Sequence, residues 1–447
     1  MTERLVVIGG VAAGMSAAAK AKRARRDLEV VVYEKGGHIS YAACGLPYFL
    51  AGDVPRIEGL IVRTPEQMAK QGVEVKVRHE VTSVDAEART VQVHDLQADR
   101  TFRQDYDHLV IATGARPACP PLPGCELGGI FGLRSLESGL AIQQHLQEQK
   151  PKKALIVGGG YIGVEMAETL RRLGLEVTML VRSGKVLRTT LDDDMRELVH
   201  AELTRHGVQI VEGPAVGFEG KEDVSAVQTA SEEYACDAVI LGLGAEPNVD
   251  LARATGVALG LTGAIATNSQ MCTNLPGVYA AGDCAEALHR VTGKPAWVPL
   301  GSTANKQGRV AGSNAAGKPA SFGGILGTMV VRCFDLGVGF TGLTAVEARA
   351  AGYDVQETKI QASDLSHYFP GTAEAHVKLV VDGASGQLLG GQLVGPHRAI
   401  KRIDVLVAAL HNRMTVPEMQ ELDLSYAPPF SPVWDPILVA ANVAAKD

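Results

Sequence analysis

The chain has 447 residues, of which 46% are hydrophobic and 5% aromatic, and its formal net charge at neutral pH is −7. This length fits about three domains, and the acidic balance gives no basic surplus that would indicate nucleic acid as a partner. Seven cysteines without framework spacing argue against a secreted disulfide scaffold. Because no apolar run is long enough for a membrane span and the start, MTERLVVIGG, lacks signal-peptide features, we expect a soluble, cytoplasmic protein.

The first predicted elements are a strand, a glycine-rich turn, a helix and a second strand. The buried run from Arg4 leads into VAAGMSAAAKAKRAR, which has helical propensity, and the strand LEVVVYEK then ends at Glu34. This order is typical of a dinucleotide-binding unit. Gly9 and Gly14 hold the first and last glycine positions, whereas Val11 occupies the middle one. Taken alone, the pattern also fits an ordinary βαβ crossover.

A cysteine follows the first unit in the stretch SYAACGLPYFL. Gly45 and Pro47 after Cys44 predict that the chain enters a helix there. A thiol at a helix N-terminus faces unpaired N–H groups, which favour its thiolate at neutral pH. The alternative is a small buried apolar residue, as most free cysteines are.

The dinucleotide-binding unit returns, complete, in ALIVGGGYIGVEMAETLRRLGLEVTMLV. Gly158, Gly160 and Gly163 fit G-x-G-x-x-G between a strand and a helix, so that a pyrophosphate can rest on the helix N-terminus. Two such units predict two dinucleotides in one chain.

The residues after the second strand of this unit bear on the choice of nucleotide. No acid stands near Val181, and Arg182, Lys185 and Arg188 follow. Because a carboxylate would repel a 2′-phosphate and guanidinium groups bind phosphate, the sequence predicts a preference for NADPH over NADH.

Two later segments, DYDHLVIATGARP and YACDAVILGLGAEPN, predict equivalent strands leaving the two units. A further strand, Gly277 to Ala281, ends at Gly282 and Asp283. A carboxylate at the carboxyl end of a strand suits a hydroxylated chain such as ribitol. The alternative for Asp283 is a helix N-cap.

From Ser321 the pattern changes to antiparallel strands, including a hairpin across Asp382 to Gly386. Helices over IKRIDVLVAALHNRM and VPEMQEL follow, and Thr415 and Glu418 form a capping box. The sequence thus predicts an α/β protein with two Rossmann-like dinucleotide-binding domains and a C-terminal α+β module for dimerisation or as a lid. The predicted domains are 1–121 with 246–320 for the first dinucleotide, 122–245 for the second, and 321–447 for the C-terminal module.

The other six cysteines are predicted to have no redox role, and no metal is expected. Cys119 and Cys125 flank a proline-rich loop, PACPPLPGC. Four more lie on or beside predicted strands, as buried structural cysteines do: Cys236, Cys272, Cys284 and Cys333.

Over its whole length the chain resembles the FAD-dependent pyridine nucleotide–disulfide oxidoreductases. The resemblance rests on the two glycine fingerprints, the AAGD motif and the cysteine just past the first unit. The single cysteine in SYAACGLPY is similar to that of the coenzyme A-disulfide reductases and their persulfide-reductase and NADH-oxidase relatives. The resemblance implies a homodimer in which the C-terminal domain of one subunit covers the cysteine of the other.

The resemblance also implies roles for individual residues. Those expected to hold FAD are Gly9, Gly10, Gly14, Glu34, Lys35, Thr113, Gly114, Gly282, Asp283 and Ala304, with Glu34 on the adenosine ribose. Those expected around the nicotinamide dinucleotide are Gly158, Gly160, Tyr161, Gly163, Glu165, Arg182 and Lys185. Those expected to bind coenzyme A are Lys20, Arg23, Ser40 and Asn305. Tyr161 would be a gate over the nicotinamide pocket, although it could equally be a core aromatic.

The implied activity is an NAD(P)H-dependent reduction of coenzyme A disulfide to two thiols, through FAD and a mixed disulfide on Cys44. Tyr368 in SHYFPGT and Tyr426 in LDLSYAPPF would enter the active site of the partner subunit and protonate the leaving thiolate. Three alternatives stay open: a persulfide or polysulfide reductase, an oxygen-reducing NADH oxidase, and a non-enzymatic flavin redox sensor.

Overall fold

A computed structural model describes residues 3–119 and 121–446; residues 1, 2, 120 and 447, which fall within the predicted domains or at their ends, lie outside the described residues. The N-terminal elements are β1 (Arg4–Ile8), α1 (Ala12–Ala24), β2 (Glu29–Glu34), α2 (Leu46–Leu50), α3 (Pro65–Ala69), β3 (Glu74–Val77), β4 (His79–Asp85), β5 (Thr90–Asp95), β6 (Arg100–Asp105), β7 (His108–Ile111), β8 (Ala115–Pro117), β9 (Ile130–Phe131) and α4 (Leu136–Glu148), with short 3₁₀ helices at Ala43–Gly45 and Ile57–Leu60.

The central elements are β10 (Lys153–Val157), α5 (Tyr161–Arg172), β11 (Glu176–Val181), α6 (Asp193–Arg205), β12 (Val208–Glu212), β13 (Gly217–Gly220), β14 (Val224–Gln228), β15 (Glu233–Ala235), β16 (Ala238–Leu241), β17 (Ala245–Pro247) and α7 (Asp250–Ala254). The remaining elements are β18 (Val278–Ala280), β19 (Ala287–Leu288), β20 (Pro295–Ala296), α8 (Gly301–Ala315), β21 (Met329–Cys333), β22 (Leu336–Gly342), α9 (Ala345–Ala350), β23 (Val355–Ser363), β24 (Glu374–Asp382), β25 (Leu388–Pro396), α10 (His397–Ile400), α11 (Ile403–His411), α12 (Val416–Gln420) and α13 (Pro436–Ala444).

Two parallel sheets form the nucleotide-binding part of the molecule, as predicted. The first has the order β18-β7-β1-β2-β3 and the second the order β12-β11-β10-β16-β9. Their central strands are runs of fully buried aliphatic residues, such as Leu5 to Ile8, which is typical of parallel strands covered on both faces. β18 comes after the whole second sheet in sequence but pairs with β7, so the chain returns to complete the first sheet.

The segments predicted to be equivalent are so in the structure. β7 and β16 occupy the same place in the two sheets, next to β1 and β10. The short strands that follow them, β8 and β17, pair with each other in an antiparallel ribbon that connects the two sheets. The division of the chain into domains, with boundaries at residues 121, 245 and 320, stays a prediction.

The C-terminal module is a five-stranded antiparallel sheet of order β21-β22-β25-β24-β23 packed on α11 and α13. The predicted hairpin is closed by Gly386, whose N–H donates to Asp382 O (2.7 Å). The helix predicted over IKRIDVLVAALHNRM is found as α11, which begins at Ile403 and not at Ile400, because a separate short helix, α10, ends at Ile400. At the break Arg402 binds Asp435 through Nε (2.7 Å) and donates from Nη2 to Asp364 O (2.9 Å).

Helices α1 and α8 cross at close range between the first sheet and the rest of the chain. A Cβ on Gly308 would lie 2.2 Å from Ala13 O, and one on Gly312 would lie 2.1 Å from Ala17 O. Only glycine allows this approach. α8 begins at Gly301.

The turn between β21 and β22 docks the C-terminal module on the second unit. Phe334 N donates to Glu168 Oε2 and Asp335 N donates to Glu202 Oε1, both at 2.9 Å. Phe334 has a left-handed backbone (φ 51) and stacks its ring on His206 with a centroid distance of 4.0 Å. Among the described residues, no helix combines the length and the apolar character that a membrane crossing requires.

Candidate active site

The first glycine loop is held in a shape that requires its glycines. Gly9 has φ +100, and a Cβ there would meet Ala112 O at 2.2 Å. A Cβ on Gly14 would meet Gly9 O at 1.8 Å. The helix α1 therefore starts as close to the end of β1 as the backbone allows, which is what a pyrophosphate at the helix N-terminus needs.

The second loop repeats this geometry at its first and last glycines. A Cβ on Gly158 (φ +114) would lie 2.3 Å from Gly242 O, and one on Gly163 would lie 2.4 Å from Gly158 O. The middle glycine, Gly160, is different, since its Cβ would find only an ordinary contact at 3.8 Å. The first and last positions of the fingerprint are thus the demanding ones, and the first unit keeps both.

Glu34 lies where the end of β2 meets the first loop. Its carboxylate accepts hydrogen bonds from the N–H groups of Gly10 (2.6 Å) and Gly36 (2.7 Å). A carboxylate at this place can bind the hydroxyls of a ribose. Lys35 beside it is exposed. The loop and the acid together fit the FAD that the sequence implies.

Thr113 and Gly114 follow β7 and are bound to the segment after β17, where the chain returns to the first unit. Thr113 Oγ1 donates to Asn248 O (2.7 Å), and Asn248 Nδ2 donates to Thr113 O (2.8 Å). Gly114 has φ +69, a left-handed conformation that glycine adopts without strain.

Asp283 stands at the carboxyl end of the first sheet, beside the starts of both α1 and α8. A Cβ on Gly282 would touch Ala13 Cβ at 2.7 Å and Ala304 Cβ at 3.5 Å. The Asp283 carboxylate forms an ion pair with Arg134, which leads into α4. Because the next helix begins only at Gly301, the N-cap alternative for Asp283 is excluded.

Cys44 lies in the 3₁₀ turn before α2 and keeps solvent-accessible surface. Burial by the surrounding protein raises the pKa of its thiol, and the charges of Glu165 and Asp283 raise it further, whereas Arg134 opposes them. The lowered pKa expected from a helix N-terminus is therefore not found. The helix that follows has only five residues. The amide next to the thiol, Gly45 N, donates to Ala42 O (2.9 Å) and so does not stabilise the thiolate.

Glu165 on α5, in the second unit, is near enough to Cys44 for its charge to raise the pKa of the thiol. Tyr48 Oη donates to Glu165 Oε1 (2.9 Å). Burial raises the pKa of Glu165 to about 7, although the Tyr48 hydrogen bond and Arg332 lower it. Tyr48 lies on α2, four residues after Cys44, and it is bound to Glu165. The thiol, the tyrosine and the glutamate are therefore described together as one cluster.

Arg332 on β21 joins the C-terminal module to this cluster. Its guanidinium lies over the Tyr48 ring, 4.7 Å from the centroid, and Nη2 binds Asp53 (2.7 Å) and Glu168 (2.8 Å). Arg172 binds the same Asp53 carboxylate (2.7 Å), and the two arginines hold the pKa of Asp53 well below its usual range. The three modules of the chain are thus fixed to one another next to the thiol.

Tyr161 is the first residue of α5 and is half-buried against the core. Its hydroxyl oxygen accepts a hydrogen bond from Thr190 Oγ1 (2.9 Å). This contact connects the ring to the loop after β11. The role of Tyr161 as a gate over the nicotinamide pocket stays a prediction.

The residues after β11 are exposed, as a phosphate-binding set has to be. Arg182 and Arg188 lie on the surface, while Lys185 Nζ is bound to the Asp193 carboxylate (2.8 Å). The strand register places Glu212 opposite Val181. The nearest acid in this register is therefore Glu212 at the end of β12, and β11 itself ends without one.

The four residues expected to bind coenzyme A lie on or near α1. Lys20 is half-buried and Arg23 exposed on that helix. Ser40 has a left-handed backbone (φ 48), and its N–H donates to Gly10 O (2.9 Å). Asn305 Oδ1 accepts a hydrogen bond from Ser16 Oγ (2.6 Å), which links α8 to α1. Their role towards coenzyme A stays a prediction.

Tyr368 and Tyr426 come together far along the chain and are both exposed, by 64% and 47%. A hydrogen bond with Tyr368 is the main cause that raises the pKa of Tyr426. In the same chain the charged groups around Cys44 are instead Glu165, Arg134 and Asp283. The structure pairs the two tyrosines with each other rather than with the thiol of their own chain.

The remaining cysteines fall into two groups. Cys236, Cys284 and Cys333 are buried and Cys272 is half-buried. Cys119 and Cys125, in contrast, have their Sγ atoms 2.7 Å apart. Their sequence spacing did not predict this contact.

One group of side chains has the spacing of metal ligands. The ligand atoms of Glu202, His206 and Asp335 lie within 4.8 Å of one another. However, Arg205 Nη2 already binds Glu202 (2.8 Å) and Asp335 (2.6 Å). The carboxylates are therefore neutralised by an arginine, and the group serves the docking of the β21–β22 turn.

Three residues of the cluster were missed from the sequence: Tyr48, Arg134 and Arg332. Tyr48 could have been found, because it is one helical turn beyond Cys44 in the same motif. Arg134 and Arg332 carry no local signal, since their partners Asp283 and Asp53 are far away in the sequence.

Comparison with known proteins identifies the family. Residues 3–308 match the pyridine nucleotide-disulphide oxidoreductases, and residues 329–436 match their dimerisation domain. An NAD(P)H coenzyme A polysulfide/persulfide reductase of Pyrococcus horikoshii is 41% identical over 99% of this chain and 98% of its own length. A coenzyme A disulfide reductase of Staphylococcus haemolyticus is 33% identical over 96% of both chains.

Among solved structures, reduced CoADR-RHD of Bacillus anthracis has a TM-score of 0.97 at 33% identity, and the match covers 100% of this chain and 80% of that one. The matched regions contain both glycine loops, the Cys44 turn and the C-terminal sheet. The chain belongs to the pyridine nucleotide-disulphide oxidoreductases.

Proposed function

We propose that the protein is an FAD-dependent NAD(P)H:disulfide reductase whose substrate is coenzyme A disulfide. One observation carries the proposal: the accessible thiol of Cys44 is near enough to charged groups of both nucleotide-binding units, Asp283 of the first and Glu165 of the second, for both to raise its pKa. A thiol in this place could receive electrons from a flavin held by the first unit, and a nicotinamide held by the second unit would reduce that flavin.

The residues of this chain have defined tasks in such a reaction. The Cys44 thiolate attacks one sulfur of the disulfide, the other sulfur leaves as a thiolate, and a mixed disulfide remains on Cys44. FAD and NAD(P)H, when bound, supply the two electrons that return Cys44 to the thiolate and release the second thiol. Arg134 is the nearby cation that favours the thiolate of Cys44.

The residues that would hold each group follow from the loops. Gly9, Gly14 and Glu34 would hold FAD at the first sheet, with Asp283 on its ribitol chain. Gly158 and Gly163 would hold the nicotinamide dinucleotide at the second sheet. Both loops have the close helix approach and the glycines that a pyrophosphate needs.

The coenzyme A part of the substrate would lie along α1. Lys20 and Arg23 offer cations for its phosphates, and Ser40 and Asn305 offer polar groups for the pantetheine arm. Support comes from the names of the two relatives, both of which act with coenzyme A.

The active site would be completed by a second copy of the chain. Tyr368 and Tyr426 are exposed on the module that matches the dimerisation domain, together with Phe430, Val433 and Trp434. Such a cluster of exposed aromatic side chains fits an interface. A tyrosine hydroxyl from the partner would then protonate the leaving thiolate.

The substrate test compares acceptors. We expect steady-state NADPH oxidation to rise strongly on addition of coenzyme A disulfide, with two thiols formed per NADPH. A larger kcat/KM with coenzyme A persulfide would favour the second candidate, the reductase named for the Pyrococcus relative. Equal NADPH oxidation with oxygen alone would contradict both readings and support an oxidase.

The state of Cys44 gives an independent check. Intact mass of the isolated protein is measured before and after thiol reduction. Loss of an adduct of coenzyme A size supports the mixed disulfide, whereas loss of a single oxygen indicates a sulfenic acid and an oxidase.

A further inference from the structure

We propose that Cys119 and Cys125 form a second redox-active pair, which low-molecular-weight disulfides oxidise to an intrachain disulfide. The pair is separate from Cys44 and lies in the connection between the two nucleotide-binding units. The proposal replaces the prediction from sequence that these two cysteines have no redox role.

The first observation is the contact itself. The Sγ atoms of Cys119 and Cys125 are 2.7 Å apart, not far beyond the length of a disulfide bond, which is about 2.05 Å. Cys119 is exposed and Cys125 is half-buried. An oxidant in solution therefore reaches the first sulfur directly, and the second is in place to respond.

The second observation is that the backbone on each side is fixed independently of the sulfurs. Cys119 follows the β8–β17 ribbon, where Ala118 N donates to Gly244 O (3.0 Å). The position of Cys119 is therefore set by the backbone of the connection between the sheets and does not depend on its contact with Cys125.

Cys125 is anchored on the opposite side, to the second unit. Its N–H closes a turn on Leu122 O (3.2 Å), and Phe218 N of β13 donates to Pro123 O (2.8 Å). Gly124 (φ +77) lies against the same strand, since a Cβ on it would be 2.2 Å from Phe218 O. Oxidation would thus join the connecting ribbon covalently to a turn that is packed on β13.

The chemistry assigns different roles to the two thiols. Burial and the neighbouring sulfur raise the pKa of Cys125 to about 11. Cys125 therefore stays protonated while Cys119 reacts first. The exposed Cys119 attacks the disulfide RSSR, which releases RS⁻ and leaves Cys119–S–SR. Cys125 then loses its proton to solvent and attacks Cys119 Sγ, which releases the second RS⁻. The chain loses two hydrogens, and RSSR gains them as two RSH.

The test uses the flavin-containing protein with Cys44→Ser, which removes the other reactive thiol. The reduced, desalted protein is incubated with glutathione disulfide, and its remaining thiols are alkylated before peptide mass analysis. We expect the peptide with Cys119 and Cys125 to lose two hydrogens and to carry neither the alkyl group nor glutathione. Cys272, the half-buried comparison, should stay alkylated.

A second variant traps the intermediate. With Cys125→Ser added, we expect Cys119 to retain glutathione, because the sulfur that releases it is gone; Cys272→Ser in its place should leave the intrachain disulfide unchanged. Two alkylated thiols after incubation of the Cys44→Ser protein, or a lasting glutathione adduct on Cys119 while Cys125 is present, would overturn the proposal. Neither result bears on the substrate proposed for Cys44.

Discussion

The thiol of Cys44 differs from the other cysteines in what surrounds it, since its charged neighbours come from both nucleotide-binding units. We expect Cys44→Ser to retain its flavin and the reduction of that flavin by NADPH. Disulfide reduction should fall by at least about a thousandfold, because serine cannot form the mixed disulfide. Flavin absorbance, anaerobic titration with NADPH and steady-state rates measure the three properties separately. Normal disulfide turnover in a flavin-replete variant would refute the role of Cys44.

Glu165 gives a prediction about stability and pH. Its pKa lies at about 7 instead of 4.5, so the folded chain binds this proton more tightly than the unfolded chain. The protonated carboxyl therefore stabilises the fold at acid pH, and this contribution is lost as the pH rises from the ordinary value to about 7. In Glu165→Gln, which is neutral throughout, it cannot be lost.

The free energy of unfolding of wild type relative to Glu165→Gln should thus decrease by on the order of 3 kcal/mol between about pH 4.5 and pH 8. Urea unfolding across this range measures the difference. A difference that does not change with pH would show that Glu165 is not held neutral.

The loop after β11 carries the prediction about nucleotide choice. Arg182→Ala should lower kcat/KM for NADPH about tenfold or more and leave that for NADH nearly unchanged, because a guanidinium on the 2′-phosphate is lost. Lys185→Ala is the matched comparison and should have a smaller effect, since Lys185 is already bound to Asp193. An enzyme that uses NADH equally well, and in which Arg182→Ala changes nothing, would contradict the preference.

At this scale the sequence predicts positions better than partners. The glycines and Glu34 were identified because each follows a strand at a fixed spacing. The ion pairs Arg134–Asp283 and Arg332–Asp53 join residues that are far apart in the chain, so no local sequence pattern predicts them. The pKa of Cys44 was predicted with the wrong sign for a related reason: burial by distant segments outweighs the short helix next to it.

The crossing of α1 and α8 is the element on which the first glycine loop depends. Gly308→Val would push a side chain into Ala13 O, one residue from Gly14. We expect weak flavin retention and a melting temperature lower by several degrees, consistent with about 2 kcal/mol or more of lost stability. Gly301→Ala, at an open position of the same helix, should behave as wild type. Full flavin content in Gly308→Val would show that the crossing tolerates a wider separation.

The predicted elements failed where tertiary contacts set the ends of helices. α11 begins at Ile403 and not at Ile400, where the predicted helix starts, because α10 ends there. Between the two helices Arg402 is bound to Asp435 and Asp364 O. Strands were predicted more reliably, because both the buried parallel runs and the Asp382–Gly386 turn have strong local signatures.

For the whole molecule, the exposed aromatic residues of the C-terminal module predict how the activity depends on concentration. Phe430→Asp and Trp434→Asp should each shift the dimer toward monomers, because a carboxylate would be buried without a partner at the interface. Disulfide reduction per chain should fall in parallel and recover at higher protein concentration.

Sedimentation and activity are measured over the same dilution series. Leu261→Asp, at a residue that is 92% exposed in another part of the chain, is the control and should leave both unchanged. Activity that is undiminished in a monomeric variant would rule out a shared active site.

The long separation of α1 and α8 along the chain also has a consequence for synthesis on the ribosome. The second sheet, β9 to β16, emerges as nearly one continuous stretch and can close as soon as it is made. The first sheet emerges earlier but must wait for its edge strand β18 and for α8, which are translated only after the second sheet is finished. Domains made of distant segments fold late, and their apolar faces stay open meanwhile. The first sheet, although its first strands are made first, is therefore expected to close only after the second sheet and to be the part most in need of chaperones.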